Sequence, residues 1–145
     1  MSRTVRLVHD YAAPPAAVWA IAKDFTKLAD MSAGSVSYRG LPEAPVKEGD
    51  VVDFEVKPFY ARSFKPYRVE MLGVDDAARR FVSLEHGAGV KTWRHTLSVE
   101  ETPGGSRQTD EIVIDAGAMT WFGALLARRM YAKRDSVRRR LLGLE

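Results

Sequence analysis

Residues Lys91–Asp115 read KTWRHTLSVEETPGGSRQTDEIVID. Polar and apolar residues alternate on both sides of Pro103-Gly104-Gly105, the pattern of two antiparallel strands joined by a tight turn. One face of the first strand carries Trp93, His95, Leu97 and Val99. An imidazole in an apolar row is either a core histidine satisfied by a hydrogen-bonding partner or part of a pocket wall. With Gly104 and Gly105 as the central turn residues, Pro103 faces Ser106, Leu97 faces Ile112, Val99 faces Asp110 and His95 faces Ile114. All lie on one face, because parity is preserved across a ladder, and the apolar majority makes it the inner face. His95 and Asp110 are its polar exceptions. In this register they sit well apart along the ladder, without a direct hydrogen bond.

The same alternation extends outward from this hairpin. TVRLVHDYAA sets Val5, Leu7, His9 and Tyr11 on one face of a first strand. AAPPAAVWAIAKDF then changes to helical spacing, with Pro14 and Pro15 suited to a first helical turn and a second short helix around Phe25–Asp30. SVSYRG, VVDFEVKPF, PYRVEML and ARRFVSLEH are four further strands separated by Gly- and Pro-bearing turns. Along the last of these, Val82, Leu84 and His86 alternate, so His86 also falls on an apolar-looking face. TWFGALLARRMYAKRDSVRRRLLGL closes the chain as a long helix. Its apolar stripe runs through Phe122, Leu126, Met130, Val137, Leu141 and Leu144, with Lys133 on the same side, either snorkelling to a rim or facing a ligand. The order of strand, two short helices, six strands and one long helix predicts an α+β fold with an antiparallel sheet of about seven strands. No repeat or linker divides residues 1–145, so a single domain is expected.

The 145 residues include no cysteine, which excludes disulfides, thiolate nucleophiles and cysteine-ligated metals. No apolar run approaches the ~18–20 residues of a membrane span, and MSRTVRLVHD lacks the apolar centre of a signal peptide. A cytoplasmic protein is the expectation. The net charge of +3 is unevenly placed: residues 119–145 carry seven Lys or Arg against two acidic residues, so the rest of the chain is net negative. This basic segment reads as the solvated face of an amphipathic helix, or as a patch for an anionic partner.

Three stretches, APPAAVWAIAKDF, VKEGDVVDF and WRHTLSVEETPGGSRQTDEI, together with the long C-terminal helix, resemble the SRPBCC (START/polyketide cyclase/pollen-allergen-like) helix-grip superfamily, especially its bacterial polyketide cyclase/dehydrase-like group. The resemblance implies a curved antiparallel sheet wrapped around the C-terminal helix, with a cavity between them for an apolar or aromatic small molecule. Superfamily members include carriers, receptors, cyclases and co-chaperone domains, so fold alone does not settle activity.

On that architecture the expected ligand-facing residues are His9, Tyr11, Phe54, Val56, Tyr67 and Val69 from the earlier strands. His86, Trp93, His95, Asp110 and Ile112 follow from the later ones, and Phe122, Leu126, Met130 and Lys133 from the helix. The ligand is expected to be a lipid, sterol or polyketide-like molecule fixed by a few polar groups in an apolar pocket. In an enzyme of this fold, His95 and Asp110 are the candidate catalytic residues. A base removes an acidic α-proton from a poly-β-ketone and a donor stabilises the enolate. An interaction module built on the basic helix is a third reading. No cofactor or metal is expected: zinc-protease and phosphate-loop motifs are absent, and three histidines on separate strands have no supporting spacing. Nucleic acid is not an expected partner. Monomer and homodimer both remain open.

Overall fold

The computed structural model describes residues 1–144. Strand β1 (Arg3–Tyr11) leads into α1 (Pro15–Lys23) and, through a short 3-10 turn, α2 (Leu28–Met31). Then follow β2 (Val36–Arg39), β3 (Val51–Pro58), β4 (Lys65–Asp75), β5 (Arg80–Gly87), β6 (Val90–Thr102) and β7 (Gly105–Asp115). Helix α3 (Thr120–Leu141) ends the described chain. The seven strands form one antiparallel sheet in the order β1-β7-β6-β5-β4-β3-β2. Consecutive strands from β2 to β7 are neighbours, and β1 closes the far side against β7. The α1–α2 segment carries the chain from one edge of the sheet to the other.

Local chemistry explains these elements. Pro15 at the first turn of α1 fixes φ where its missing N–H is not needed. Val18 and Trp19 are the buried side chains of that helix. In β6 and β7 burial alternates residue by residue, as expected for strands with one face on a core. The sheet bends where its pairing is irregular, with β4 and β5 changing register between Met71 and Gly73. Such a bulge increases local twist and curls the sheet over α3.

The hairpin register differs from the sequence expectation by two residues. Thr102 pairs with Gly105, so Pro103 and Gly104 are the central turn residues. Proline has no N–H for a ladder bond and suits the first central position of a turn, whereas the expected register placed it inside the ladder. Gly105 belongs to the strand. Its φ of +146° and close approach to the Tyr11 carbonyl leave no room for a Cβ. A shift of two preserves the face of every residue and slides Asp110 opposite Leu97, one diagonal step from His95.

Two further expectations are corrected. In β5 the inward residues are Phe81, Ser83 and Glu85, so His86 faces solvent with Leu84 and Val82 on the outer side. In α3 the buried face is Thr120, Ala124, Ala127, Tyr131, Arg134 and Arg138, not the stripe through Val137 and Leu141. Small residues face the sheet in the first half of the helix, where Gly123 lies close to Ile114, and Tyr131 and the two arginines turn inward farther along. Arg134 and Arg138 are thus not part of a solvated basic face.

The core has two parts. Tyr11, Trp19, Phe25, Phe54, Phe81 and Leu97 belong to a cluster that includes α1. Val5, Trp93, Ile112, Ile114, Ala127 and Tyr131 pack beneath the first half of α3.

Candidate functional site

Between the concave face of the sheet and α3 lies a cavity of about 460 Å³. Its wall is mostly apolar: Phe54, Val56, Val69, Phe81, Leu97 and Trp93 from the sheet, Leu126, Ala127 and Met130 from α3, and Phe25, Leu28 and Met31 from the short helices. Five residues of the wall are exposed, namely Gly34, Phe59, Tyr60, Arg129 and Lys133, and they mark where the cavity meets the surface. Phe122 packs edge-on against Tyr60 at this rim, with ring centroids 5.4 Å apart.

His95 and Asp110 meet within this wall. His95 Nε2 lies 2.7 Å from Asp110 Oδ1, and Asp110 Oδ2 accepts from the Gln108 amide at 2.9 Å. The expectation that the two were too far apart for a hydrogen bond is therefore overturned. The diagonal neighbour on an antiparallel ladder lies within reach of side chains of this length. Burial pushes the Asp110 carboxyl up, but the contact with His95, the charge of Arg138 and the Gln108 amide outweigh it and hold the group below its ordinary range. An ionised carboxylate only accepts hydrogen bonds, so the His95 proton sits on Nε2. In the neutral ring Nδ1 then keeps its lone pair. It lies 3.5 Å from the Tyr131 hydroxyl. The imidazole is wedged edge-on between Phe81 and Tyr131, with centroid distances of 5.3 and 5.2 Å. Asp110, His95 and Tyr131 thus form a chain running from the sheet to α3.

A second polar group lines the cavity nearer the end of α3. Arg134 donates to Ser32 Oγ at 2.9 Å and stacks over the Tyr131 ring at 4.2 Å. Arg138 donates to the Tyr11 hydroxyl at 2.6 Å, and that hydroxyl donates to Asp135 at 2.8 Å. Burial works against the Arg134 charge, but neighbouring Tyr131, Tyr38, Asp110 and Glu85 raise its pKa above the usual guanidinium value. On the β4–β5 side, Tyr67 and Ser83 donate to the two oxygens of Glu85 at 2.9 and 3.0 Å. Burial and the Glu85 charge push the Tyr67 hydroxyl well up. Four buried side-chain atoms of the wall residues lack a partner among the described residues: the Trp93 indole N–H, Gln108 Oε1 and the Nε–H groups of Arg134 and Arg138. They leave three donors and one acceptor open.

Of the residues expected to face a ligand, Phe54, Val56, Tyr67, Val69, Trp93 and His95 line the cavity, as do Asp110, Leu126, Met130 and Lys133. Lys133 is exposed at the opening. Five lie elsewhere. His86 is on the outer face. Ile112 is wholly buried in the core beneath α3. Phe122 stands at the rim behind Tyr60. Tyr11 and His9 sit beside each other on β1, their rings 6.5 Å apart, where β1 packs against α3. Sequence reasoning missed Tyr131, Arg134, Arg138, Glu85 and Gln108. Gln108 shares inward parity with Asp110 and Ile112, a signal available in the alternation, whereas Val82 and Leu84 gave the other face of β5 the apolar pattern and hid Glu85. The arginines carried none, since arginine on a helix most often faces water.

Residues 2–144 match the family described as polyketide cyclase / dehydrase and lipid transport. The chain belongs to that family. With it comes membership of the helix-grip superfamily, and the seven-stranded sheet around α3 is the architecture of that fold. No curated protein matches the chain. Several solved structures share the fold at low identity. The protein TTHA0849 of Thermus thermophilus superposes with a TM-score of 0.73 at 17% identity, covering 97% of this chain and 98% of its own. The Zhui aromatase/cyclase from Streptomyces sp. R1128 superposes at 0.65 with 19% identity, over 99% and 93% of the two chains. Ara h 8.0201 superposes at 0.66 with 10% identity, over 95% and 98%. No helix among the described residues is long and apolar enough to cross a membrane, and no cluster of His, Asp or Glu suited to a metal ion occurs among them.

Proposed function

We propose that the protein binds a small apolar or aromatic molecule bearing oxygen substituents in the space between the sheet and α3. The observation that carries this reading is a mostly apolar cavity of about 460 Å³ whose few polar groups converge on it. That size and that mixture suit a compact small-molecule ligand. The open Trp93 N–H and Gln108 Oε1 supply hydrogen bonds to its oxygens, and family membership supports the same class of ligand. Isothermal titration with neutral 2-acetylnaphthalene tests it. The wild-type protein binds, and Met130→Trp, which fills the cavity from α3, does not bind while keeping its circular dichroism spectrum. Equal binding by both proteins would place the ligand elsewhere.

A second reading is favoured by the His95–Asp110 contact. With its proton held on Nε2, His95 presents Nδ1 as a base and Tyr131 as an adjacent donor. In a cyclase, His95 Nδ1 takes the α-proton of a bound β-ketone, and the enolate carbon attacks a second carbonyl of the same chain. The resulting alkoxide is reprotonated, and loss of water follows in a dehydratase. Incubation with a reactive poly-β-ketone thioester checks this. A cyclised product that disappears in His95→Ala, with binding retained, supports turnover. Binding without product in the wild type leaves the carrier reading alone.

A further inference from the structure

Arg134 and Arg138 are 8% and 2% exposed, and both line the cavity. They stand four residues apart on α3, so their backbones are about 6 Å from each other along the helix. Neither forms an ion pair with any described carboxylate. Among the described residues, Arg134 has Ser32 Oγ and the Met130 sulfur as its only hydrogen-bond partners, and Arg138 has only the Tyr11 hydroxyl. A guanidinium carries five N–H donors, so each keeps most of its fork unmatched, and the Nε of each has no partner at all. The nearby acids do not take up the surplus. Asp110 accepts from His95 and Gln108, Glu85 accepts from Tyr67 and Ser83, and Asp135 accepts from Tyr11 and Arg139. Asp24, the remaining acid of the wall, accepts from Thr26. Buried cations without a paired anion are costly. At the opening, Arg129 and Lys133 add two exposed cations.

Building on the ligand-binding reading above, we propose that the ligand is an anion, an apolar or aromatic body bearing a carboxylate, and that Arg134 and Arg138 seat that carboxylate at the α2 end of the cavity. Arginine forks match a carboxylate with two parallel, charge-assisted hydrogen bonds. Ser32, fixed against Arg134, and Tyr11, fixed against Arg138, hold the two side chains ready. The apolar body then lies along α3 toward Met130 and Leu126, about 6 and about 12 Å from Arg134 by helix rise, where the wall is apolar.

The test compares 2-naphthoate with its neutral shape analogue 2-acetylnaphthalene by isothermal titration at neutral pH. The wild-type protein should bind naphthoate at least about tenfold tighter, the effect of one charge-assisted hydrogen bond. Because the site is buried, the preference should persist at high salt, whereas attraction to Arg129 and Lys133 alone would be screened. In Arg134→Gln the preference should shrink several-fold, and Lys133→Gln should keep it. Equal affinities in the wild type, or a preference lost at high salt, overturn the carboxylate seat while the cavity reading stands. Failure of both probes to bind overturns the cavity reading and the seat with it. The wild-type comparison needs no variant, so it decides the matter even if Arg134→Gln does not fold.

Discussion

Asp110 is the most consequential single residue of the inner wall. Its carboxylate fixes which nitrogen of His95 carries the proton, and its own pKa is held below the ordinary range by that contact. A group whose folded pKa is depressed contributes stability above its unfolded value, and the contribution is lost as pH falls through the folded value. Asp110→Asn should therefore cost about 1–3 kcal/mol at neutral pH. It should also flatten the acid limb of the stability curve below about pH 3.8, the unfolded carboxylate value. Urea titrations at neutral and acid pH give both numbers, and parallel acid limbs would mean that other carboxylates dominate. Tyr11 behaves with the opposite sign. Burial pushes its hydroxyl up to about 12, against the lowering effect of Arg138. A raised pKa gives stability that is complete below the unfolded value near 10 and lost as pH climbs to about 12. Tyr11→Phe should make the alkaline limb shallower, with a remaining slope from Tyr67 and Tyr131, whose hydroxyls burial also raises. An unchanged alkaline slope in Tyr11→Phe would show that its hydroxyl is not shielded.

At the scale of elements, the hairpin and α3 show what alternation reveals and what it conceals. Inward parity in β6 and β7 was legible because a period of two survives any even shift in register. The contact between His95 and Asp110 was not, because it depends on whether Pro103-Gly104 or Gly104-Gly105 turns the chain. The missing N–H of Pro103 and the bare Cα of Gly105 against the Tyr11 carbonyl decide that, and the second is a tertiary contact invisible in the hairpin itself. Gly105→Ala should accordingly destabilise by about 4 kcal/mol or more, since the clash is with backbone and φ is positive. In α3 the apolar stripe pointed to Leu141 while the sheet accepted Ala124, Ala127 and two arginines. Small residues follow from close approach of helix and sheet, and the buried cations from the cavity beside them, neither of which periodicity encodes. Gly123 in the same helix tells a milder story. An added Cβ would meet Ile114 at 3.5 Å, an ordinary contact. Gly123→Ala should stabilise by about 0.5–1 kcal/mol through helix propensity. A loss of stability in thermal or urea melts would show that α3 sits closer to β7 than this geometry allows.

At the scale of the molecule, the order of elements in the chain led directly to the fold. One strand, two short helices, six strands and a long helix admit a meander whose first strand returns to pair with its last. The space between sheet and helix was legible only as an expectation, because its size depends on side chains from three layers: large aromatics on the sheet, small residues on α3, and the α1–α2 segment roofing one end. The central claim is that this space receives a ligand, and the three tryptophans allow it to be tested in one spectrum. Trp93 lines the cavity with an indole N–H that has no protein partner, Trp19 donates its indole N–H to Asp76 at 2.9 Å, and Trp121 is exposed at the start of α3. A titration of nitrogen-15-labelled protein with 2-acetylnaphthalene, followed by proton–nitrogen correlation spectra, should shift the Trp93 indole peak and leave that of Trp19 in place. Shifts confined to Trp121 and other surface groups, or no shift at all, would contradict the account.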